Sequence, residues 1–267
     1  QIELFHRQGY RMSLTGAGHK LMTLAQKLLA LESETEFFLR DSGKLHQGEL
    51  KIGAVGPFHV IEMVAAYRAL HPGMQLSIRM GNSQQVLHDL ENYSTDVAVL
   101  AGLYERPELV AREYARHSII LFAHVEHPLA QSNTVDLRAL QGLPLLLREP
   151  GSTTRAAMEK ALAAAGVKPR LNLEIGSREA IREAVARGLG IGAVSEAEFI
   201  PDPRFKPIRI KGEPASTTTY VYCMKERSES LLVRSFLKAI EGSAAPNLPV
   251  LLTAPKPLIA PTAKKLA

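Results

Sequence analysis

"ELKIGAVGPFHVIEMVAAYRALHPGMQLSIRMGNSQQVLHDLENYSTDVAVLA", residues 49–101, alternates two kinds of pattern. Residues 49–55 are a short apolar run that predicts a strand. Over 58–70, Val60, Met63, Val64 and Tyr67 recur at helical spacing and share one face. "HPG" at 71–73 is a turn, 74–80 an alternating strand, 82–92 a helix and 95–101 a buried strand. Strand–helix–strand–helix–strand in this rhythm predicts an α/β unit with a parallel, doubly wound sheet.

Downstream the rhythm breaks and restarts. A strand at 117–124 is followed by strands at 144–149, 170–175 and 190–195. Helices at 153–165 and 178–188 separate them, built on Met158, Ala161, Leu162 and Ala165 and on Ile181, Ala184 and Val185. A late strand at 217–225 and an amphipathic helix at 228–242 follow. Taking 117–124 and 217–225 as crossovers makes the second unit an insertion in the first. The expected fold is therefore α/β, with two Rossmann-like lobes joined by two crossover strands around a hinged cleft. Lobe I would comprise 49–120 and 221–242 and lobe II 121–220, with 243–267 a disordered tail rich in Pro, Ala and Lys.

Upstream, residues 15–40 carry the longest helical pattern, with Thr15 as its N-cap. Leu21, Leu24, Leu28, Leu31, Thr35 and Phe38 follow a 3-4-3-4-3 spacing, the seam of a two-helix coiled coil. The narrow seam predicts packing against one partner helix, and "DSGKLHQGEL" at 41–50 reads as a linker. The chain opens on Gln1 in structured-looking sequence, so a natural N-terminus further upstream is expected.

The net charge is +5, but Lys256, Lys264 and Lys265 in an acid-free tail supply more than half of it. Charge alone therefore gives no basic stripe suited to phosphates. The chain has 46% apolar and 22% charged residues and no apolar run of membrane-spanning length. It shows no secretory leader, and its lone Cys223 fits a reducing compartment, so a cytoplasmic location is expected.

Four polar clusters each follow a strand and open a helix: "GPFH" (56–59), "GNSQ" (81–84), "PGSTT" (150–154) and "GSRE" (176–179). Open α/β sheets bind ligands at such strand ends, where helix N-termini present free backbone N–H groups. The candidate ligand residues are Pro57, Phe58, Asn82, Ser83, Ser152, Thr153, Thr154, Ser177 and Arg178, with Glu196 placed to face a ligand ammonium. A Ser or Thr before a helix is ordinarily only a cap, and a surface Arg such as Arg155 is ordinarily solvated. Four clusters at corresponding strand ends favour a cleft for a small anion.

Catalytic patterns are absent from the sequence. "GLGIG" at 188–192 enters a strand, whereas a dinucleotide loop leaves one, and no P-loop or G-x-S-x-G occurs. His, Cys and carboxylates lack metal-ligand spacing, and Cys223 in a strand is expected to be buried and inert. No enzyme, cofactor or metal is expected.

The order of parts resembles the LysR-type transcriptional regulators. "IELFHRQGYRMSLTGAGHKLMTLAQKLLALE" is similar to the end of that family's DNA-binding domain, with Leu14–Gly18 matching the "LT-x-AG" lead-in to its linker helix. "HPG", "DVAV" (96–99), "EPGSTTR" (149–155) and "GLGIG" follow in the family's order. The resemblance covers about residues 2–242. It implies that 1–14 is the remnant of a winged helix-turn-helix, with Arg7 and Arg11 of the wing on the DNA backbone. It implies that 15–42 is a linker helix dimerising through Leu21, Leu24, Leu28, Leu31 and Phe38. It also implies promoter DNA, RNA polymerase and a small anionic effector as partners, in a homodimer or homotetramer.

"REPGSTTR" and "EIGSREAIREAV" look most like the subgroup associated with 2-aminoethylphosphonate catabolism, which implies an effector with a phosphonate and an amine. A departure is that the helix-turn-helix itself lies upstream of the wing and is missing here. The rival readings are a two-lobed solute-binding protein for a small anion and an enzyme acting on a phosphorylated metabolite.

Overall fold

The computed structural model describes residues 2–8, 11–41 and 48–241. The tail expected to be disordered and linker residues 42–47 lie outside the described residues, as do the side chains of Arg11 and Phe38.

Strands β1 (Phe5–Gln8) and β2 (Arg11–Leu14) form an antiparallel hairpin with Phe5 opposite Leu14. Helix α1 (Gly16–Asp41) follows directly. The Thr15 hydroxyl caps it, accepting from the Gly18 N–H at 2.9 Å and donating to the Glu3 carbonyl at 2.7 Å. Glycine ordinarily weakens a helix. A Cβ on Gly18 would sit 2.1 Å from the Leu4 carbonyl oxygen, so hairpin and helix can meet only at glycine. One face of α1 docks through polar contacts: Thr23 donates to Asn92 at 2.7 Å, Gln26 to Ser94 at 3.1 Å and Lys27 to Glu226 at 2.6 Å. The leucine seam stays open, with Leu24 63% and Leu28 69% exposed.

The first lobe runs β3 (Gly48–Ala54), α2 (Pro57–Leu70), β4 (Met74–Met80), α3 (Ser83–Glu91) and β5 (Val97–Ala101). β3 pairs in parallel with β4, Ile52 opposite Ile78, and with β5, Ile52 opposite Val97. The long β6 (Leu109–His124) then leads through β7 (Thr134–Val135) to β8 (Pro144–Leu147), α4 (Thr153–Ala164) and β9 (Arg170–Glu174). After these come α5 (Arg178–Ala186), β10 (Ile191–Ser195), β11 (Phe205–Ile210), β12 (Ser216–Met224) and α6 (Leu231–Glu241).

The strands lie in the order β4-β3-β5-β12-β6-β10-β8-β9, with β11 paired to β6 and β7. β6 belongs to both lobes. From Leu109 to Ser118 it pairs with β12, and from Ile119 it pairs with β10, then with β11 from Leu121. β12 joins the first lobe's sheet from Ser216 onward. The two strands cross between lobes side by side, with the Ile119 N–H donating to the Ala215 carbonyl at 2.9 Å. The sheets are mixed, not purely parallel, because β12 runs antiparallel to both β5 and β6, and β6 runs antiparallel to β10.

Helices cover both faces of each sheet. In lobe I, Leu50, Ile52, Met63, Tyr67, Val233 and Phe236 form the core under α2 and α6, and Val86, Leu90 and Tyr222 that under α3. In lobe II, Leu145, Met158, Leu162 and Ile191 pack under α4, and Phe122, Ile181, Val185 and Phe205 under α5. Burying each such side chain contributes roughly 1.5–3 kcal/mol. A buried ion pair ties α1 to lobe I: Arg227 meets Asp96 at 2.5 Å and Glu34 of α1 at 3.8 Å. Asp96 also accepts from the Lys51 N–H at 2.7 Å.

Candidate functional site: the cleft between the lobes

The helices on the cleft side start at residues suited to a helix N-terminus. Pro57 occupies the first turn of α2, where its missing N–H costs nothing. Asn82 accepts from the Gln85 N–H at 2.9 Å, Ser152 from the Arg155 N–H at 3.4 Å and Ser177 from the Ala180 N–H at 3.2 Å. These three side chains therefore act as caps. Ser177 also donates to Glu179 at 2.7 Å, a bond that holds the Glu179 carboxyl below its ordinary range.

Two contacts between the lobes lie near these helix starts. Arg178, at the start of α5, reaches the Val55 carbonyl of lobe I at 3.3 Å and pairs with Glu198 at 3.1 Å. The approach is close enough that a Cβ on Gly56 would lie 3.2 Å from Glu198 and 3.6 Å from the Arg178 guanidinium. Across the cleft Gly102 backs onto the Thr153 methyl. The Gly102 loop is held by Tyr222, whose hydroxyl donates to the Gly102 carbonyl at 2.9 Å and accepts from the Tyr104 N–H at 2.9 Å. Thr153 lies one residue past the cap, half-buried, and Thr154 is buried in the helix.

Paired charges line the lobe II side. Arg148 grips Glu149 through two bonds of 2.7 Å, and this pairing depresses the Glu149 carboxyl, with Arg178 adding a smaller pull. At the hinge side, His59 of α2 stacks on His117 of β6 with ring centroids 5.0 Å apart, and Tyr114 meets His59 edge-on at 5.7 Å. Burial, and secondarily the neighbouring His117, push His59 down to about 4. His117 is also lowered by burial, against the opposing pull of Glu196, Glu62 and Glu198. Its buried Nε2 has no hydrogen-bond partner among the described residues.

Among the sequence candidates, Arg178 lies against Val55 and Gly56 of lobe I, and Thr153 lies against Gly102. Asn82 is engaged as a cap, and Ser83 opens α3 beside it. Phe58 is half-buried in the first turn of α2. Glu196, expected to face a ligand amine, is instead ion-paired with Arg209. Arg155 is engaged by Glu159 at 2.8 Å and Glu174 at 2.6 Å. Sequence reasoning missed Glu198, Arg148 and His117. Glu198 lies two residues from Glu196 in the same short 3-10 turn, and only the turn's geometry selects which carboxylate faces Arg178.

Cys223 is buried in β12, which pushes its thiol up to about 11, outside the reactive range. Among the described residues no His/Cys/Asp/Glu group could hold a metal ion, and no helix is long and apolar enough to cross a membrane.

The LysR substrate binding domain family matches residues 43–245. The chain is similar to the HTH-type transcriptional activator CmpR of Synechocystis, 27% identical over 242 residues that cover 88% of this chain and 79% of the relative. It is also similar to the RuBisCO operon transcriptional regulator of Acidithiobacillus ferrooxidans, at 28% identity over 259 residues, covering 92% and 83%. The fold matches the regulatory domain of CcmR from Synechocystis, solved in complex with 2-PG, with a TM-score of 0.66 and 23% identity over 74% of this chain and 98% of that one. Two α/β lobes joined by β6 and β12 belong to that family's effector-binding architecture, and this chain is a member of the LysR-type transcriptional regulators.

Proposed function

We propose that the cleft takes a small anionic metabolite and that its occupancy sets the orientation of the lobes in a promoter-bound oligomer. The single observation that carries this reading is Arg178, which already spans the lobes and pairs directly with Glu198. An entering anion replaces Glu198 on the guanidinium while accepting from the N–H groups that open α2, α4 and α5. Each hydrogen bond to a charged group contributes about 1.5–3 kcal/mol, and a partly buried helix dipole adds up to ~2 kcal/mol. Two or three such contacts are enough for a micromolar dissociation constant, about −8 kcal/mol. The ligand contacts both lobes and so favours one orientation by its differential affinity.

Within this reading 2-aminoethylphosphonate is the first effector to test. Its phosphonate suits Arg178 and Thr153, and the displaced Glu198, not Glu196, is left to receive the ammonium. Residues 1–14 serve as wing and 15–42 as dimerising linker, an assignment favoured by the open leucine seam of α1. That seam also favours the regulator over a solute-binding protein. DNA contact falls to a helix-turn-helix beyond these residues, with Arg7 and Arg11 on the backbone, in the cytoplasm where promoters lie.

A thermal-shift panel of small phosphonates, phosphate esters and carboxylates tests the proposal. An effector at a hundred times its Kd adds about 2.7 kcal/mol of stability. The expected result is a clear rise in Tm for a narrow set of anions; a flat panel at millimolar concentrations contradicts it.

A further inference from the structure

A second concavity lies away from the cleft, on the flank of lobe II where the chain crosses back to lobe I. It encloses about 640 Å³ between the C-terminal half of α4, the 3-10 turn at 137–140 and the segment 214–216. Its floor is apolar and shallow-sided because α4 presents Ala157, Ala161 and Ala164 there; longer side chains at these positions would fill it. Its rim carries Arg116, Arg138, Lys160 and Lys211 against the single acid Asp136.

These cations differ from the arginines held in ion pairs elsewhere. Arg106, Arg112, Arg148, Arg155, Arg178 and Arg204 each meet a carboxylate within 3.1 Å. Arg138, Lys160 and Lys211 make no side-chain hydrogen bond or ion pair among the described residues. Arg116 only donates to the Ser216 hydroxyl at 3.1 Å, which holds it at the groove edge. Asp136 accepts from the Arg138 N–H at 2.9 Å as the cap of its own turn, so it remains bound to the backbone beside the groove. Three positive charges therefore stand in excess around one pocket-sized space, an arrangement that raises the local concentration of anions. The volume falls within the range of small-molecule sites.

We propose that this groove is a second binding site, independent of the cleft, for a small polyvalent oxyanion of about three negative charges. The apolar alanine floor accommodates the ligand's carbon body, and the Arg and Lys rim takes its phosphate or carboxylate groups. Its position beside Arg116 and Ser216 places it against the two crossing strands. Lys160 and Thr153 lie two turns apart on α4, so groove and cleft can be altered separately.

Isothermal titration of the whole chain at low ionic strength, with pyrophosphate and with citrate as probes and acetate as control, tests the assignment. Both probes are polyvalent, and their comparison separates phosphate from carboxylate chemistry. At least one should bind saturably, acetate should not, and added salt should weaken the binding because the rim is exposed. Lys160→Gln/Lys211→Gln should weaken it about five- to twentyfold, from two exposed charge contacts. The cleft variant Arg178→Gln should leave it within twofold. Absence of saturable binding, or unchanged affinity in Lys160→Gln/Lys211→Gln, overturns the proposal. Loss of probe binding in Arg178→Gln alone also overturns it, while supporting the cleft.

Discussion

Arg178 on lobe II donates to the Val55 carbonyl on lobe I at 3.3 Å, a polar bond across the cleft made by a side chain that any entering anion would claim. It links the two halves of the molecule to the charge state of the space between them. Glu198, at 3.1 Å, holds the guanidinium in that position.

The hydroxyls at the start of α4 divide into two roles. Ser152 is the cap, so Ser152→Ala should lower stability by about 0.5–2 kcal/mol in denaturant unfolding, whatever it does to binding. Thr153 lies at the lobe contact and caps nothing, so Thr153→Ala should weaken effector binding about tenfold with a smaller stability change. Unchanged affinity by calorimetry removes Thr153 from the site.

The seam on α1 should be a protein contact. Leu28 is 69% exposed in the single chain, and Leu28→Asp places a charge at the middle of the seam. Sedimentation of the unaltered chain should give a dimer or larger species, and the variant should lose the linker-mediated contact. The same mass for both contradicts the dimerisation role.

His59 should make stability depend on pH. Its folded pKa, about 4, lies below the ordinary value near 6.5, so the unfolded chain takes up the proton first. The neutral ring's contribution is complete above 6.5 and declines as pH falls toward 4. His59→Gln should flatten that decline by about 1–2 kcal/mol, allowing for solvent screening of a half-buried ring. Denaturant midpoints between pH 7 and 4 that fall in parallel for both proteins contradict the assignment.

The Asp96–Arg227 pair should be costly to break from one side. Arg227→Met leaves Asp96 buried without its cation, at about 3–5 kcal/mol. The double change Asp96→Asn with Arg227→Met should recover much of that loss. A loss below 1 kcal/mol for the single variant, measured by urea unfolding, contradicts the role given to the pair.

Residues 49–101 were legible because apolar runs and helical faces alternate there without interruption, and β3 through β5 lie within a few residues of the expected ranges. β11 was not, because Pro207 interrupts its strand pattern; it is tolerated where β11 pairs with Phe122 at the margin of the sheet. The first half of β6, "LVAREYAR", carries charges on a half-exposed surface and offers no apolar run. Antiparallel closure by β12 was also hidden, since strand direction follows from the crossing of the chain and leaves no local pattern. For the cleft, helix starts could be located from Pro57, Ser152 and Ser177. Which carboxylate faces Arg178 depends on the turn at Glu196–Glu198, and which arginines are already paired depends on tertiary contacts.

The most direct measurement is the affinity of the best anion from the thermal-shift panel for the unaltered chain and for Arg178→Gln, by isothermal titration. A cleft that holds the anion on this guanidinium predicts one site per chain and at least a tenfold loss in the variant, about 1.5–3 kcal/mol. Equal affinities, with both proteins folded, would contradict it.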